Sequence, residues 1–178
     1  MNETFIETLR SWQNFYFMIG GASAGLMGLM FVALSLGTHL VNDQTASNVA
    51  AFVTPSIIYF VSVLLVAGVM LVPTFTTLVL GIVLAAGGAV GLVRTTGHVR
   101  DLIRVNNEYQ DFSRWDWLWQ VILPLVSYGL LVLAGLGFLF DQWTVAFMGV
   151  WLAVLMLLLC AIANTWSLVL WIVEQGGS

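Results

Sequence analysis

Residues 44–93 read QTASNVAAFVTPSIIYFVSVLLVAGVMLVPTFTTLVLGIVLAAGGAVGLV and contain no charged side chain. A helix needs roughly 20 apolar residues to cross about 30 Å of hydrocarbon, so this run is long enough for two crossings. Pro73 divides the run, and a proline either breaks a helix or starts the next one. The stretch therefore predicts two membrane-spanning helices, at about residues 50–72 and 75–97.

The composition of the whole chain agrees with this interpretation. Of the 178 residues, 60% are hydrophobic and 8% are charged, whereas a soluble domain carries about 25% charged residues. This composition excludes an ordinary water-soluble fold, and the continuously apolar segments exclude the alternating strands of a membrane barrel. The sequence predicts an all-α, polytopic membrane protein, a bundle of about five transmembrane helices in one domain, 15–178, whose other spans lie at about 15–39, 119–140 and 144–173.

The arginines predict how this bundle is oriented. Arg94, Arg100, Arg104 and Arg114 all lie in the connection between helices 3 and 4, whereas Arg10 alone lies on the opposite side. Positively charged connections stay in the cytoplasm, so we expect the N-terminus outside and the C-terminus inside the cell. The formal charge of −4 makes nucleic acid an unlikely partner, since phosphate binding needs a basic surface.

Residues 1–14 form an amphipathic segment before the first span. Phe5, Leu9, Trp12 and Tyr16 recur at spacings of three and four residues, which is the period of one helix face. This pattern predicts an interfacial helix that leads into helix 1.

Helix 3 is predicted to continue beyond the membrane. Leu102, Val105, Tyr109 and Phe112 also recur at helical spacing, so the helix extends to about residue 112. Two interpretations remain open, a solvated cytoplasmic extension and a docking element for a partner or a neighbouring subunit.

Small residues form a stripe along each of two predicted helices. Such stripes allow helix backbones to approach closely in lipid. They predict close packing of helices 1 and 3, within one chain or between chains, and the alternative is that they line a permeation path. Asn164 is a further candidate for helix packing or for lining such a path. Of the polar groups predicted near the interior of a span, its amide costs the most free energy to bury. The stripes contain Gly21, Gly25, Gly28 and Ser35 on helix 1, and Gly81, Ala85, Gly88 and Thr95 on helix 3.

The two histidines are predicted at the cytoplasmic interface. His39 ends helix 1, His98 lies near the end of helix 3, and Asp43 and Asp101 are near them in sequence. Such a cluster could bind a metal or sense pH. The alternative is a pair of interfacial histidines bonded to water or backbone, because their separation in sequence is not a ligand-type spacing. No particular metal is assigned.

No charged residue is predicted in the middle of the membrane, which argues against a proton pump or an ion-coupled carrier. It leaves a channel open, because hydroxyls, carbonyls and apolar constrictions can form filters and gates. We find no nucleophile elbow, HExxH or CxxC motif. The sequence therefore predicts neither an enzyme nor a cofactor.

The first span reads GASAGLMGLMFVALS over residues 21–35, after Asn14-Phe15-Tyr16. This stretch resembles the first helix of a group of small bacterial inner-membrane proteins, of the form GASAxLxGLxFVAxS. The resemblance covers helix 1 and implies a location in the bacterial cytoplasmic membrane.

These features favour a homo-oligomeric channel or pore for ions or small solutes. Two alternatives remain open, an accessory subunit or modulator of a larger membrane complex and a binding protein for a lipid or hydrophobic cofactor. The expected partners are the lipid bilayer and further copies of the chain, with another membrane protein as the alternative partner.

Overall fold

The computed structural model describes residues 3–37, 46–109 and 118–176, and the side chains of residues 5–36, 53–97 and 118–170. These residues form helices, turns and no strand, so the predicted all-α fold is confirmed. A short π-helix, Leu118–Ile122, precedes α4. The five α-helices are α1 (Glu3–Gly37), α2 (Ala46–Leu71), α3 (Thr77–Tyr109), α4 (Leu123–Leu139) and α5 (Trp143–Gly176).

Each of the five helices contains a segment long and apolar enough to cross a membrane. Apolar helices satisfy this requirement because hydrocarbon offers the backbone no partner, so each N–H and C=O must be paired within the helix. The chain is therefore a polytopic membrane protein, as predicted. The five segments are Phe5–Leu36, Val53–Leu71, Thr77–Gly97, Leu118–Leu139 and Trp143–Leu170.

Helix α1 runs without a break from Glu3 to Gly37, so residues 3–14 of the amphipathic segment and the first span belong to one helix. Phe5 and Leu9 are buried, and the ring of Phe5 lies 6.1 Å from that of Phe147. The ring of Trp12 stacks on Phe147, with 6.2 Å between centroids and 9° between planes. Protein therefore covers this part of the apolar face, and the interfacial position of the segment stays a prediction.

The turn between α2 and α3 follows from Pro73 and Thr76. The Thr76 hydroxyl accepts a hydrogen bond from the Val79 N–H at 3.4 Å, which is the contact that an N-cap side chain makes. The helix therefore begins at Thr77, close to the predicted start at 75. At its other end α3 reaches Tyr109, and the rest of the predicted extension lies outside the described residues.

Pro124 explains the unusual beginning of the fourth span. A proline has no N–H to donate, and its ring collides with the carbonyl four residues earlier in a regular helix. The π-helix Leu118–Ile122 directly precedes this proline, which occupies the first turn of α4. The wider turn accommodates the proline while the span continues.

The helices are arranged as an open series. Helix α1 packs on α2, α2 packs on α5, α5 packs on α4, and α4 packs on α3. By contrast, α2 and α3 touch at very few places. Because each of these two helices has its main partner elsewhere, they diverge and leave a space between them.

Candidate functional site

A groove of about 690 Å³ lies between α2 and α3. Tyr128 and Leu131 of α4 form its floor. We call this space the α2–α3 groove. Its rims are apolar and face outward, since the side chains of Leu65 and Val90 are 63% and 58% exposed. Its volume lies within the range of about 300–1,000 Å³ that is typical of small-molecule sites.

Close contact between α3 and α4 positions one wall of this groove. A Cβ atom on Gly135 would lie 2.5 Å from the Ala85 nitrogen, and a Cβ on Gly88 would lie 2.8 Å from the Val132 nitrogen. A Cβ on Gly81 would lie 2.8 Å from the Gly135 carbonyl oxygen. These residues form what we call the α3–α4 seam, in which glycine is required because any larger side chain would force the backbones apart.

Tyr128 connects the seam to the groove. Its ring lies against Gly91, in space that a Cβ atom would occupy. Its hydroxyl oxygen lies 2.8 Å from the Ser62 hydroxyl oxygen of α2. In such a pair one hydroxyl donates to the other, so one O–H and several acceptor lone pairs remain for a ligand. The groove therefore has a polar point on an otherwise apolar floor.

Arg94 also lines the groove, at the end of the wall that α3 provides. It is the first charged residue after the charge-free run 44–93, so it marks where α3 approaches the membrane surface. No hydrogen bond or ion pair joins Arg94 to another residue in the part of the chain that the structure describes. The groove thus combines an apolar length, a pair of hydroxyls and one guanidinium near the membrane surface.

The candidate small residues fall into two groups. On α3, Gly81 and Gly88 are buried in the α3–α4 seam and Ala85 is half-buried there, whereas Thr95 is buried further along the helix. The α3 stripe therefore has its partner in α4, and the two predicted stripes do not face each other among the described residues.

The other group faces outward. Gly21, Gly25 and Gly28 on α1 are exposed, with open space around the position of each missing Cβ. Ser35 is exposed and donates a hydrogen bond to the Phe31 carbonyl of its own helix at 2.9 Å. The α1 stripe therefore lies on the outer surface of the chain.

Asn164 is buried in α5, with 5% of its surface exposed. It does not line the α2–α3 groove. Another buried polar residue, Ser23, donates its hydroxyl to the Phe60 carbonyl of α2 at 2.8 Å. That bond joins α1 to α2, which is a structural role.

The four residues of the predicted metal or pH site cannot be placed together. His39 and Asp43 lie outside the described residues. His98 and Asp101 belong to α3 by their backbone, but their side chains also lie outside the described part. Among the residues that are described, no group of three or more His, Cys, Asp or Glu side chains could hold a metal ion.

Sequence reasoning did not identify the groove residues as a site. Ser62 and Tyr128 are 66 positions apart, and each on its own resembles any hydroxyl in a membrane helix. In the sequence Arg94 is one of the arginines that predict the cytoplasmic side, and no residue close to it in the sequence indicates a ligand-binding site. Comparisons with protein-family models, with curated proteins and with solved structures found no match to this chain.

Proposed function

We propose that the protein binds a membrane lipid, or a molecule of the same shape, in the α2–α3 groove. Among the three functions considered from the sequence, this is the lipid-binding one. The observation that supports it is the groove itself, an apolar space of about 690 Å³ whose rim side chains Leu65 and Val90 are exposed. A ligand would enter sideways from the bilayer, between α2 and α3.

The length of the groove matches one half of the membrane. Its α3 wall runs from Val83 to Arg94, which at about 1.5 Å per residue is roughly 17 Å. Half of the hydrocarbon core is about 15 Å. A lipid of a single leaflet would therefore reach from the surface end of the groove to its inner end.

The polar floor distinguishes this groove from an ordinary crevice between helices. Hydroxyl groups exposed to lipid tails are costly unless they are hydrogen-bonded. Ser62 and Tyr128 pair with each other, and one of their two O–H groups is left to donate. A ligand that carries an oxygen at this depth would satisfy that donor, whereas a plain hydrocarbon chain would not.

The test uses glycines of α3 as matched positions. Gly87 lines the groove, and a Cβ added there would meet no atom within 4 Å. Gly87→Leu therefore introduces a side chain into the ligand's space from a position whose Cβ meets no protein atom. Gly97→Leu is the control, because Gly97 also has open space around it but does not line the groove.

Native mass spectrometry of protein released from lipid nanodiscs measures the result. We expect wild type and Gly97→Leu to retain a lipid adduct through removal of bulk lipid, and Gly87→Leu to lose most of it. Equal retention in all three proteins, or none in wild type, would disprove lipid binding in the groove.

A second candidate is self-association, the property that the predicted channel requires. It is favoured by the exposed α1 stripe, since no described atom lies within 4 Å of a Cβ added to any of its three glycines.

We expect wild type to form oligomers in nanodiscs and Gly25→Leu to form fewer, with Gly97→Leu as control. A monomeric wild type would contradict self-association, whereas oligomers without ion flux in liposomes would contradict the channel alone. Capture of a different membrane protein by the same face would instead support an accessory subunit.

A further inference from the structure

We propose that the ligand of the α2–α3 groove is an anionic phospholipid whose phosphate pairs with Arg94. This inference rests on the proposed lipid-binding function and adds the chemical class of the lipid. It is carried by the order of three features along the groove, which is the order of the parts of a phospholipid.

The first feature is the guanidinium at the surface end. Arg94 is the first charged residue after the charge-free run 44–93 and lines the groove. An arginine at this depth is costly without a counter-charge or access to the headgroups, and within the described residues it has no ion pair. A guanidinium presents several N–H donors in a planar fork, which matches the geometry of phosphate oxygens.

The second feature is the hydroxyl pair, which lies deeper than Arg94. The Tyr128 ring, which carries one of these hydroxyls, contacts Gly91, and Gly91 lies three residues before Arg94 on α3, which corresponds to about 4.5 Å along the helix axis. In a glycerophospholipid the ester carbonyls lie just below the phosphate. The O–H left over from the Ser62–Tyr128 pair can donate to such a carbonyl.

The third feature is the apolar length beyond the hydroxyls. Leu65, Val69 and Val83 line the groove further from Arg94, and they offer no hydrogen-bond partner. This part fits an acyl chain. The phosphate would thus meet the guanidinium, the ester would meet the hydroxyl pair, and the acyl chain would meet the apolar side chains.

The charge of Arg94 selects between lipids that share a phosphate. A zwitterionic lipid carries its own ammonium group beside the phosphate, which already neutralises it in part. An anionic lipid leaves its negative charge to the protein, so the charge-assisted bond to Arg94 is made with less competition. We therefore expect phosphatidylglycerol to be retained in preference to phosphatidylcholine.

The experiment measures this preference directly. Protein is reconstituted in nanodiscs of equal parts phosphatidylglycerol and phosphatidylcholine, released, and analysed by native mass spectrometry. We expect wild type to retain phosphatidylglycerol over phosphatidylcholine by about tenfold. Arg94→Gln should still retain lipid but with a ratio near one, and Arg94→Lys should keep part of the preference.

The control is Arg10→Gln, which removes the same charge from an exposed position on α1 that does not line the groove. Its ratio should equal that of wild type. Lipid retained by wild type without preference would overturn the anionic assignment and leave lipid binding intact. A preference for phosphatidylglycerol that persists in Arg94→Gln would also overturn it. Absence of any retained lipid in wild type would instead count against the proposed function.

Discussion

Two buried tyrosines differ in what their hydroxyl groups meet. Tyr16 is fully buried, and its hydroxyl has no hydrogen-bond partner among the described residues. Tyr128 is 2% exposed, and its hydroxyl pairs with Ser62. The ring of Tyr16 lies 6.2 Å from that of Trp12, so Tyr16 contributes through its aromatic ring. Tyr128 contributes through both its ring and its hydroxyl.

Replacement of each tyrosine by phenylalanine tests this difference. An unpaired buried hydroxyl costs about 1–3 kcal/mol, whereas a paired one contributes about 1 kcal/mol. We expect Tyr16→Phe to leave the free energy of unfolding unchanged or to raise it by about 1 kcal/mol. Tyr128→Phe should lower it by about 1 kcal/mol.

Reversible unfolding of the detergent-solubilised protein, followed by circular dichroism, measures both changes. The two variants remove the same atom, so each is the control of the other. Equal losses of stability would show that the Tyr16 hydroxyl has a partner after all.

The contact between α3 and α4 is the helix pairing that depends on glycine at its points of closest approach. The glycines of α3 are visible in the sequence as a stripe, and their tendency to pack closely follows from their size. Their partner is less visible, because the central residue on the α4 side is the single Gly135, within a continuously apolar helix. A stripe of small residues indicates close packing, but it does not identify the helix that packs there.

Gly135→Val should disrupt this seam. Its side chain would collide with the backbone at Gly81 and Ala85, and overpacking of this kind costs about 1–3 kcal/mol. Gly129→Val is the control, since Gly129 lies on the same helix with no atom within 4 Å of an added Cβ.

Thermal unfolding in detergent measures the effect. We expect a clear loss of stability for Gly135→Val and a change within about 0.5 kcal/mol for Gly129→Val. Comparable melting temperatures for Gly135→Val and wild type would mean that α3 and α4 can separate at little cost.

An odd number of membrane crossings would place the two ends of the chain on opposite sides of a membrane. The structure contains the five helices, whereas their direction depends on the arginines near α3. Arg94 belongs to the basic side, which the positive-inside rule places in the cytoplasm. In that orientation the surface end of the groove opens into the cytoplasmic leaflet, where anionic lipids create a negative surface potential.

Reporter fusions test the orientation. We expect a fluorescent protein fused to the C-terminus to fluoresce, because it would fold in the cytoplasm. Alkaline phosphatase, which is active only outside the cytoplasm, should be inactive at the C-terminus and active at the N-terminus. The reverse pattern would place the groove in the outer leaflet.

The sequence by itself determined the number and type of the helices. The charge-free run of residues 44–93, divided at Pro73, was enough for α2 and α3, because hydrocarbon leaves a spanning backbone few alternatives to a helix. The predicted spans agree with the observed helices to within a few residues wherever a proline, a cap or a charge marks the end. The start of α1 is the exception, since no such signal separates Asn14 from Phe15.

Only the tertiary structure decided which faces meet. The stripes on α1 and α3 have similar composition, yet α4 packs on the α3 stripe, whereas the α1 stripe is exposed. The groove exists because α2 and α3 pack on different neighbours, and it brings Ser62, Tyr128 and Arg94 together from three helices. Apolar periodicity cannot encode this, because in lipid every face of a spanning helix is apolar and its rotation is set by contact with its neighbours.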